Sequence, residues 1–537
     1  MVTRRQGLTH DIKSRLDALP TQRLLGMQRG IEKESLRVDA HGAYAMTPHP
    51  RALGSALAHP HITTDFSESQ LELVTGVHPS VPACLAELQA IHQFVYQHIG
   101  AEQMWASSMP GALPPDAQIP LGQYGTSNVG QSKTIYRRGL ANRYGPRMQT
   151  ISGIHYNWSF PGTSNDDYFS LIRNFRRHSF VLLMLFGASP AVHADFVAGL
   201  DHGLLPLGDA ATAATADTFY LPHATSLRMG RLGYQSDAQT SLSVSYNCLD
   251  SYGHSLQGAL TQPYPPYATI GIKNEAGVYQ QLNTSLLQIE NEFYGTMRPK
   301  RVIFPGERPL HALRERGVEY VEVRCMDLNP FLPQGIDADT AHFLDTFLLH
   351  CLLSDSPPDT PDEIAELSRN QHLTASRGRE PGLTLERHGQ AVELIAWAQE
   401  ILQGCRPIAE RLDALQAQDG QEASGPQQGP HARAWQLAWD ALQDTRKLPS
   451  SQVLQAITEQ HAQSHARFAL AQSTHIREAT LAQALSAEQV QAMQVQAAES
   501  LQAQASIEAS DSLPFEQYRQ GYLDVRRLGL PSQKDCG

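Results

Sequence analysis

No apolar stretch in the chain is long enough to cross a bilayer. The longest, FVLLMLFG at 180–187, falls far short of the roughly 20 residues a spanning helix needs. The opening MVTRRQGLTH carries charge with no apolar run behind it, so no targeting segment is read there and a cytoplasmic protein with no membrane partner is expected. Cysteine is sparse and unpatterned: Cys84, Cys248, Cys325, Cys351, Cys405 and Cys536 show no C-x-x-C spacing, which predicts reduced thiols that form neither a zinc site nor a disulfide framework. Positive charge is also short. With 42 Lys and Arg against 54 Asp and Glu, the chain is a poor match for nucleic acid. Missing too are G-x-x-x-x-G-K-[ST], G-x-G-x-x-G, Gly-x-Ser-x-Gly and any Cys-His arrangement, so a P-loop, a dinucleotide-binding turn and a covalent hydrolase are set aside.

What is present is a globular composition, 41% apolar and 18% charged, over 537 residues. Single cores rarely grow beyond roughly 300 residues, so a large body with an appendage is expected. The break falls near residue 385. Residues 1–385 read as the body, with strands predicted at 29–38, 71–77, 153–159, 241–247, 269–272, 286–294 and 318–324 and helices at 11–25, 84–99 and 168–186. Strands interrupted by helices in this way imply an α+β fold around a mainly antiparallel sheet. A polar, glycine-containing passage at 110–145 shows little regular pattern and is long enough to be functional. Residues 386–537 turn rich in Ala, Gln and Glu and read as a helical extension packed on the body, with helices at 391–403, 431–443, 453–471 and 487–509 and a flexible loop at 419–430.

The chemistry centres on RGIEKESLRV at 29–38. In an extended segment Glu32, Glu34, Leu36 and Val38 share one face. Two ionised carboxylates on a half-buried face are costly unless a cation joins them, and Mg²⁺ takes oxygen ligands of this kind while sharing substrate phosphates. The competing reading is a solvated edge strand with Glu and Lys facing water, and only partners elsewhere decide between the two. At 153–159, His155, Asn157 and Ser159 alternate with Ile154, Tyr156 and Trp158, giving one core face and one that can line a cavity. At 287–294 the faces divide Gln288, Glu290, Glu292 and Tyr294 from Leu287, Ile289, Asn291 and Phe293. At 318–325, Glu322 and Arg324 share a face with Val318 and Tyr320. Arg298, Lys300 and Arg301 put three positive charges in four residues, a candidate for an ATP phosphate tail once acidic metal ligands stand beside it. Carboxylates offered by several strands to one side suit ATP-dependent activation of a carboxylate.

The stretches RGIEKESLRV, TTDFSESQLELVTGV, QYGTSNVGQSKTIYRRGLANRYGPRMQTISGIHYNWSF, FGASPAV, YLPHATSLRMGRLGY, LQIENEFYGTMRPKR, GVEYVEVRCMDLNPFLPQGID and GREPGLTL resemble, in this order, bacterial glutamate-cysteine ligase of the proteobacterial type. The likeness runs from about residue 20 to 385; beyond it only SLPFEQY is similar. The resemblance implies a fold related to glutamine synthetase, a curved mainly antiparallel sheet forming a funnel surrounded by helices. It implies ligation of L-glutamate to L-cysteine through a γ-glutamyl phosphate, with ATP as co-substrate and Mg²⁺ or Mn²⁺ as cofactor, the first step of glutathione synthesis. It places Glu32, Glu34, Asp65, Glu72, His155 and Glu322 as metal ligands, with Glu32, Glu322 and Arg324 catalytic. Arg324 falls at the phosphate-contacting position, alongside Arg298, Lys300 and Arg301. Phe66, Tyr136, Leu140, Gln149, Tyr234 and Tyr294 fall around the cysteine-side pocket, and Arg137 and Arg228 near substrate carboxylates. A monomer acting on small molecules is expected. Competing functions are a ligase for another amine, a metal-dependent hydrolase working without ATP, and a non-catalytic nucleotide-binding relative.

Overall fold

Alternation along RGIEKESLRV does produce a strand, β1 (Gln28–Val38), but it is a central strand and not an edge. The computed structural model describes residues 12–208, 216–233, 237–240, 242–418 and 429–529. Around β1 a seven-stranded sheet is completed by β2 (Ile62–Thr64), β3 (Gln70–Val74), β4 (Gln103–Met104), β5 (Ile154–Ser159), β6 (Met297–Lys300) and β7 (Tyr320–Met326). Their order is β2-β3-β1-β5-β7-β6, with β4 paired to the end of β1, and every pairing is antiparallel. The α+β fold expected from the sequence is present.

One face of the sheet is core. Ile31, Ile154, Tyr156, Trp158, Val321 and Val323 are all buried there. Helices α1 (Val81–His98), α2 (Asn128–Tyr144), α3 (Asn165–His178) and α4 (Ala338–Leu353) follow from ordinary signals: Ser80, Ser127, Ser164 and Asp337 cap their first turns by accepting backbone N–H bonds. α1, α3 and α4 contribute to the same buried cluster as that face. Further on, α5 (Leu394–Gln418) and α6 (Pro430–Gln443) pack on α4, and Trp435 donates its indole N–H to Leu402 O at 2.6 Å. Among the described residues no helix is long and apolar enough to cross a membrane.

Several sequence expectations are corrected. The polar passage at 110–145 contains α2, whose Ser127 cap and terminal Gly145 (φ +83°) are helix-boundary signals that its interior glycines had hidden. The strand expected at 286–294 is irregular with a single tight turn, Glu290–Glu292. Its side chains take backbone amides, Glu292 from Gln288 at 2.6 Å and Glu290 from Leu310 at 3.2 Å, which competes with ladder formation. The described part of 241–247 is no strand either, because Arg173 claims the carbonyls of Tyr246 and Asn247. Residues 269–272 lie at the end of a helix opened by two prolines, Pro265–Ile270, and 168–186 forms two helices divided at Ser179. The helix expected at 391–403 is preceded by a short strand, Gln390–Glu393, and 453–471 splits into Pro449–Gln460 and His465–Leu481, with Ala462 and Gln463 at positive φ between them. Cys248 is disulfide-bonded, against the expectation of reduced thiols, while Cys84, Cys325, Cys351 and Cys405 are free. The loop expected at 419–430 lies outside the described residues except Gly429 and Pro430.

Lys33 points from β1 into the core, where its Nζ meets His92 Nε2 of α1 at 3.1 Å. Burial lowers Lys33 to about 7 and His92 well below its ordinary value. As pH falls from 10.5 toward 7 the unfolded chain takes a proton that folded Lys33 refuses, so stability drops through that window and levels off below it. Replacing the pair by K33M/H92L is expected to stabilise the chain by about 1–4 kcal/mol at pH 7, as when buried polar pairs give way to apolar packing. Denaturant titrations across pH check this, and the slope between pH 7 and 10.5 should flatten in the variant.

Candidate active site

Antiparallel register decides which side chains share the open face. Glu34 stands opposite Glu72 across β1 and β3, Glu32 opposite His155 across β1 and β5, and Glu322 opposite Asn157 across β5 and β7. Arg298 of β6 then faces Glu322. Traversed from β3 to β6, the open face thus passes from carboxylates through an imidazole to guanidinium and ammonium groups.

His155 is the hub. Its Nδ1 lies 3.1 Å from Glu32 Oε2 and 3.9 Å from Glu322 Oε1, and its Nε2 lies 3.5 Å from Glu34 Oε1. Glu32, Glu72 and His155 each present a donor atom within 4.8 Å of the other two. The charge of Asp65 acts on Glu34 and Glu72. Burial, and then repulsion from Glu32, Asp65 and Glu34, drives Glu72 well above the ordinary carboxylate range. Glu34 is likewise raised, chiefly by burial. On the basic side the balance inverts. Burial opposes ionisation of Glu322, but Lys300, Arg324, His155 and Arg298 hold it well below the ordinary range. For Glu32, burial and Glu322 push upward, yet His155 and Lys300 outweigh them.

A bulge places Arg324. Pairing of β5 with β7 runs Tyr156 to Val323 and then Ile154 to Met326, so Arg324 and Cys325 together stand opposite His155. Arg324 Nη1 reaches Glu322 Oε2 at 3.2 Å and lies 3.5 Å from His155 Nδ1. Lys300 Nζ is 3.3 Å and Arg298 Nη1 3.8 Å from the same carboxylate. Arg301, one residue out of phase, turns to the opposite side and binds the carbonyls of Arg316 and Gly317, so it is not brought to the site. Arg324 and Tyr294 also line a cavity of about 1150 Å³ together with Tyr144 and Met148. Gln149 donates to Tyr294 Oη at 2.8 Å.

The remaining predicted residues are more dispersed. Arg137 donates to the carbonyls of Asp65 and Thr64 and lies over the Tyr124 ring. Arg228 is fully buried and donates to Arg324 O at 2.9 Å; any side chain at Gly153 would collide with its guanidinium. Phe66 and Leu140 are buried in a second apolar cluster, with Tyr136 packed against it. Tyr234 lies outside the described residues. Three groups carry contacts to which the sequence assigned no role. Asn157 donates to Glu32 Oε1 at 2.9 Å, the amide of Gly153 donates to Glu34 Oε2 at 2.7 Å, and Lys133, one helical turn before Arg137, acts on Glu72 and is lowered to about 8 by burial and Arg137. Asn157 was legible as a cavity-facing residue; the i, i+4 pairing of Lys133 with Arg137 was legible only once α2 was known. Glu290 and Glu292 are taken up in structural pairs with Arg308 and Arg143.

The donor set fits a hard divalent cation. Oxygens dominate it, the carboxylates repel one another, and His155 Nε2 is buried without a hydrogen bond.

A family model described as Glutamate-cysteine ligase matches residues 15–374. A glutamate–cysteine ligase of Pseudomonas fluorescens is 45% identical over 511 residues, 92% of each chain. That of Azotobacter vinelandii is 45% identical over 514 residues, 92% of this chain and 93% of its own. Among solved structures, a Francisella tularensis glutamate–cysteine ligase in complex with AMP superposes with a TM-score of 0.85 at 33% identity, covering 94% of this chain and 98% of that one.

Repulsion at Glu72 gives a two-sided prediction. E72Q is expected to be more stable than the parent chain in chelator, by about 1 kcal/mol or more, because it no longer has to take up a proton or bear an unfavourable charge at this position on folding. In millimolar Mg²⁺ its gain in melting temperature should be smaller than the parent's. Calorimetry with and without the cation measures both.

Proposed function

The chain belongs to the glutamate-cysteine ligase family, and on that premise we propose that the carboxylate–imidazole face of its sheet is where glutamate is activated by ATP. The protein is an ATP-dependent ligase. It joins the γ-carboxylate of L-glutamate to the amine of L-cysteine, giving γ-glutamylcysteine, ADP and phosphate, the first step of glutathione biosynthesis. A carboxylate is a poor acyl donor, so the γ-phosphoryl of ATP is first passed to glutamate to form an acyl phosphate, which the cysteine amine then attacks.

In this reading Glu32, Glu34, Asp65, Glu72, His155 and Glu322 hold Mg²⁺ or Mn²⁺. Bound there, the metal neutralises charge on phosphate oxygens. Arg324 and Lys300, both within 3.3 Å of Glu322, meet the charge that develops during transfer, with Arg298 behind them. Arg137 serves a substrate carboxylate, whereas Arg228, expected in that role, is fully buried and instead positions Arg324 through its carbonyl; Phe66, Tyr136, Leu140, Gln149, Tyr234 and Tyr294 shape the side that takes cysteine. α2 is a wall that keeps water from the acyl phosphate. We take 1–385 as the ligase body and 386–537 as an extension packed on it, in a cytoplasmic monomer.

The observation that carries this reading is the meeting of anionic and cationic halves of one sheet face at His155, Glu322 and Arg324. Phosphoryl transfer needs positioning and charge neutralisation more than covalent help, and this arrangement supplies them. ADP release assayed with glutamate, with and without cysteine, tests it. Release should require glutamate and rise with cysteine. E32Q should lose at least about 10²-fold in kcat while keeping its circular dichroism, in line with removal of one preorganised electrostatic group. Undiminished turnover in E32Q at saturating Mg²⁺ would refute the assignment. Truncating the aromatic wall in Y294A should raise the KM for cysteine well above any change in the KM for ATP, measured in the same assay.

A further inference from the structure

A second ligand set is buried among helices on the opposite side of the sheet. α4 carries His342 and Asp345 three residues apart, so both project from one side of the helix. α6 brings His431 against them. One donor atom from each residue lies within 4.8 Å of the other two, and all three are buried, with Asp345 at 0% and His431 at 1% exposure. His342 Nδ1 stands 3.3 Å from His431 Nε2. That separation suits two nitrogens each about 2.0–2.1 Å from a single tetrahedral ion.

The surroundings orient these donors. Asp413 of α5 takes the Nδ1 hydrogen of His431 at 2.8 Å and is itself fixed by the amides of His431 and Ala432 at 3.0 and 2.8 Å. A carboxylate only accepts, so in neutral His431 the Nε2 lone pair points into the cluster. Metal-bound imidazoles are held in this way, with the distal nitrogen donating to a carboxylate. Asp345 accepts from Tyr156 Oη at 2.8 Å through Oδ1, and its Oδ2 pairs with Arg29 at 3.0 Å. Arg29 is paired with Asp345, while Asp413 is met by His431 and backbone amides, so the carboxylates around the cluster outnumber this guanidinium.

We infer that His342, Asp345 and His431 form a buried site for one divalent transition-metal ion, with zinc the ion its donors suit, separate from the acidic set on the open face. Such an ion fastens α6, which lies beyond the family match ending at residue 374, to α4 within it. Through Asp345 the tie extends to Arg29 of β1 and Tyr156 of β5.

The test uses the full chain, stripped with chelator and then dialysed with one equivalent of Zn²⁺ in excess Mg²⁺, which keeps the oxygen-rich set occupied. The parent chain should retain about one zinc by elemental analysis, held by three protein ligands with one position left open. H431F should lose it. D413N keeps all three ligands and should bind zinc about 10–100-fold more weakly, the usual effect of removing an orienting carboxylate. Loaded with Co²⁺ instead, the parent and E32Q should both show the visible bands of a tetrahedral nitrogen–oxygen site, and H431F should not. Equal zinc in parent and H431F, or loss of zinc in E32Q with retention in H431F, would overturn the proposal and leave the three groups as a hydrogen-bonded relay.

Discussion

Repulsion among carboxylates that the backbone will not let separate is the constraint on which this molecule depends. Glu32 and Glu34 are fixed on β1, Glu72 on β3 and Glu322 on β7, and the strands that carry them are laced by antiparallel pairing. On their far side Tyr156, Trp158, Val321 and Val323 are wholly buried, so the sheet cannot twist the acids apart without opening its core. Relief is therefore chemical. The acids nearest β3 lean toward protonation, and those nearest β6 are held ionised by Arg and Lys. A site in that divided state is complementary to a ligand that brings positive charge to one half and negative charge to the other. A metal-bound nucleotide polyphosphate does both.

The same division explains which basic residues belong to the site. Strand periodicity sends Arg298 and Lys300 to Glu322 and sends Arg301 away to the carbonyls of 316 and 317. Arg324 needs more than periodicity, since the bulge in β7 sets it opposite His155 beside the large cavity. Its carbonyl is in turn held by Arg228, whose guanidinium fits only because residue 153 is glycine. Three successive contacts thus fix one guanidinium.

What was legible in the sequence was local and periodic. The alternation in RGIEKESLRV and in GIHYNWS put Glu32, Glu34, His155 and Asn157 on the face where the structure has them, and the Glu322–Arg324 spacing was read correctly. Convergence of these strands was not legible from any one of them, because pairing is set by contacts distant in sequence; the family motifs supplied that step. Segment 286–294 looked like a strand because its polar residues alternate, yet Arg143 and Arg308 draw its acids into tertiary pairs and the backbone follows. α2 was missed since Gly130 and Gly139 dilute its pattern; Gly139 is required by the close approach of Gln288. No sequence signal distinguishes a Lys facing water from one facing His92.

That last ambiguity bears on register. A strand polar on both faces has no hydrophobic pattern to fix its alignment, and a slip of one residue along β1 would exchange Glu32 and Glu34 for Lys33 and Ser35 on the open face. β1 escapes this through specific partners behind it: Arg29 pairs with Asp345 at 3.0 Å, the amide of Ile31 bonds Thr75 Oγ1 at 2.9 Å, and Lys33 meets His92 at 3.1 Å. Each of these is satisfied in only one alignment. Buried polar contacts of this type add little net stability, and the lowered Lys33 shows a cost, but they discriminate between registers where apolar packing cannot. The carboxylates at the front of the sheet are therefore placed by one ion pair and two hydrogen bonds behind it, which is why residues that never meet a substrate can decide whether the site exists.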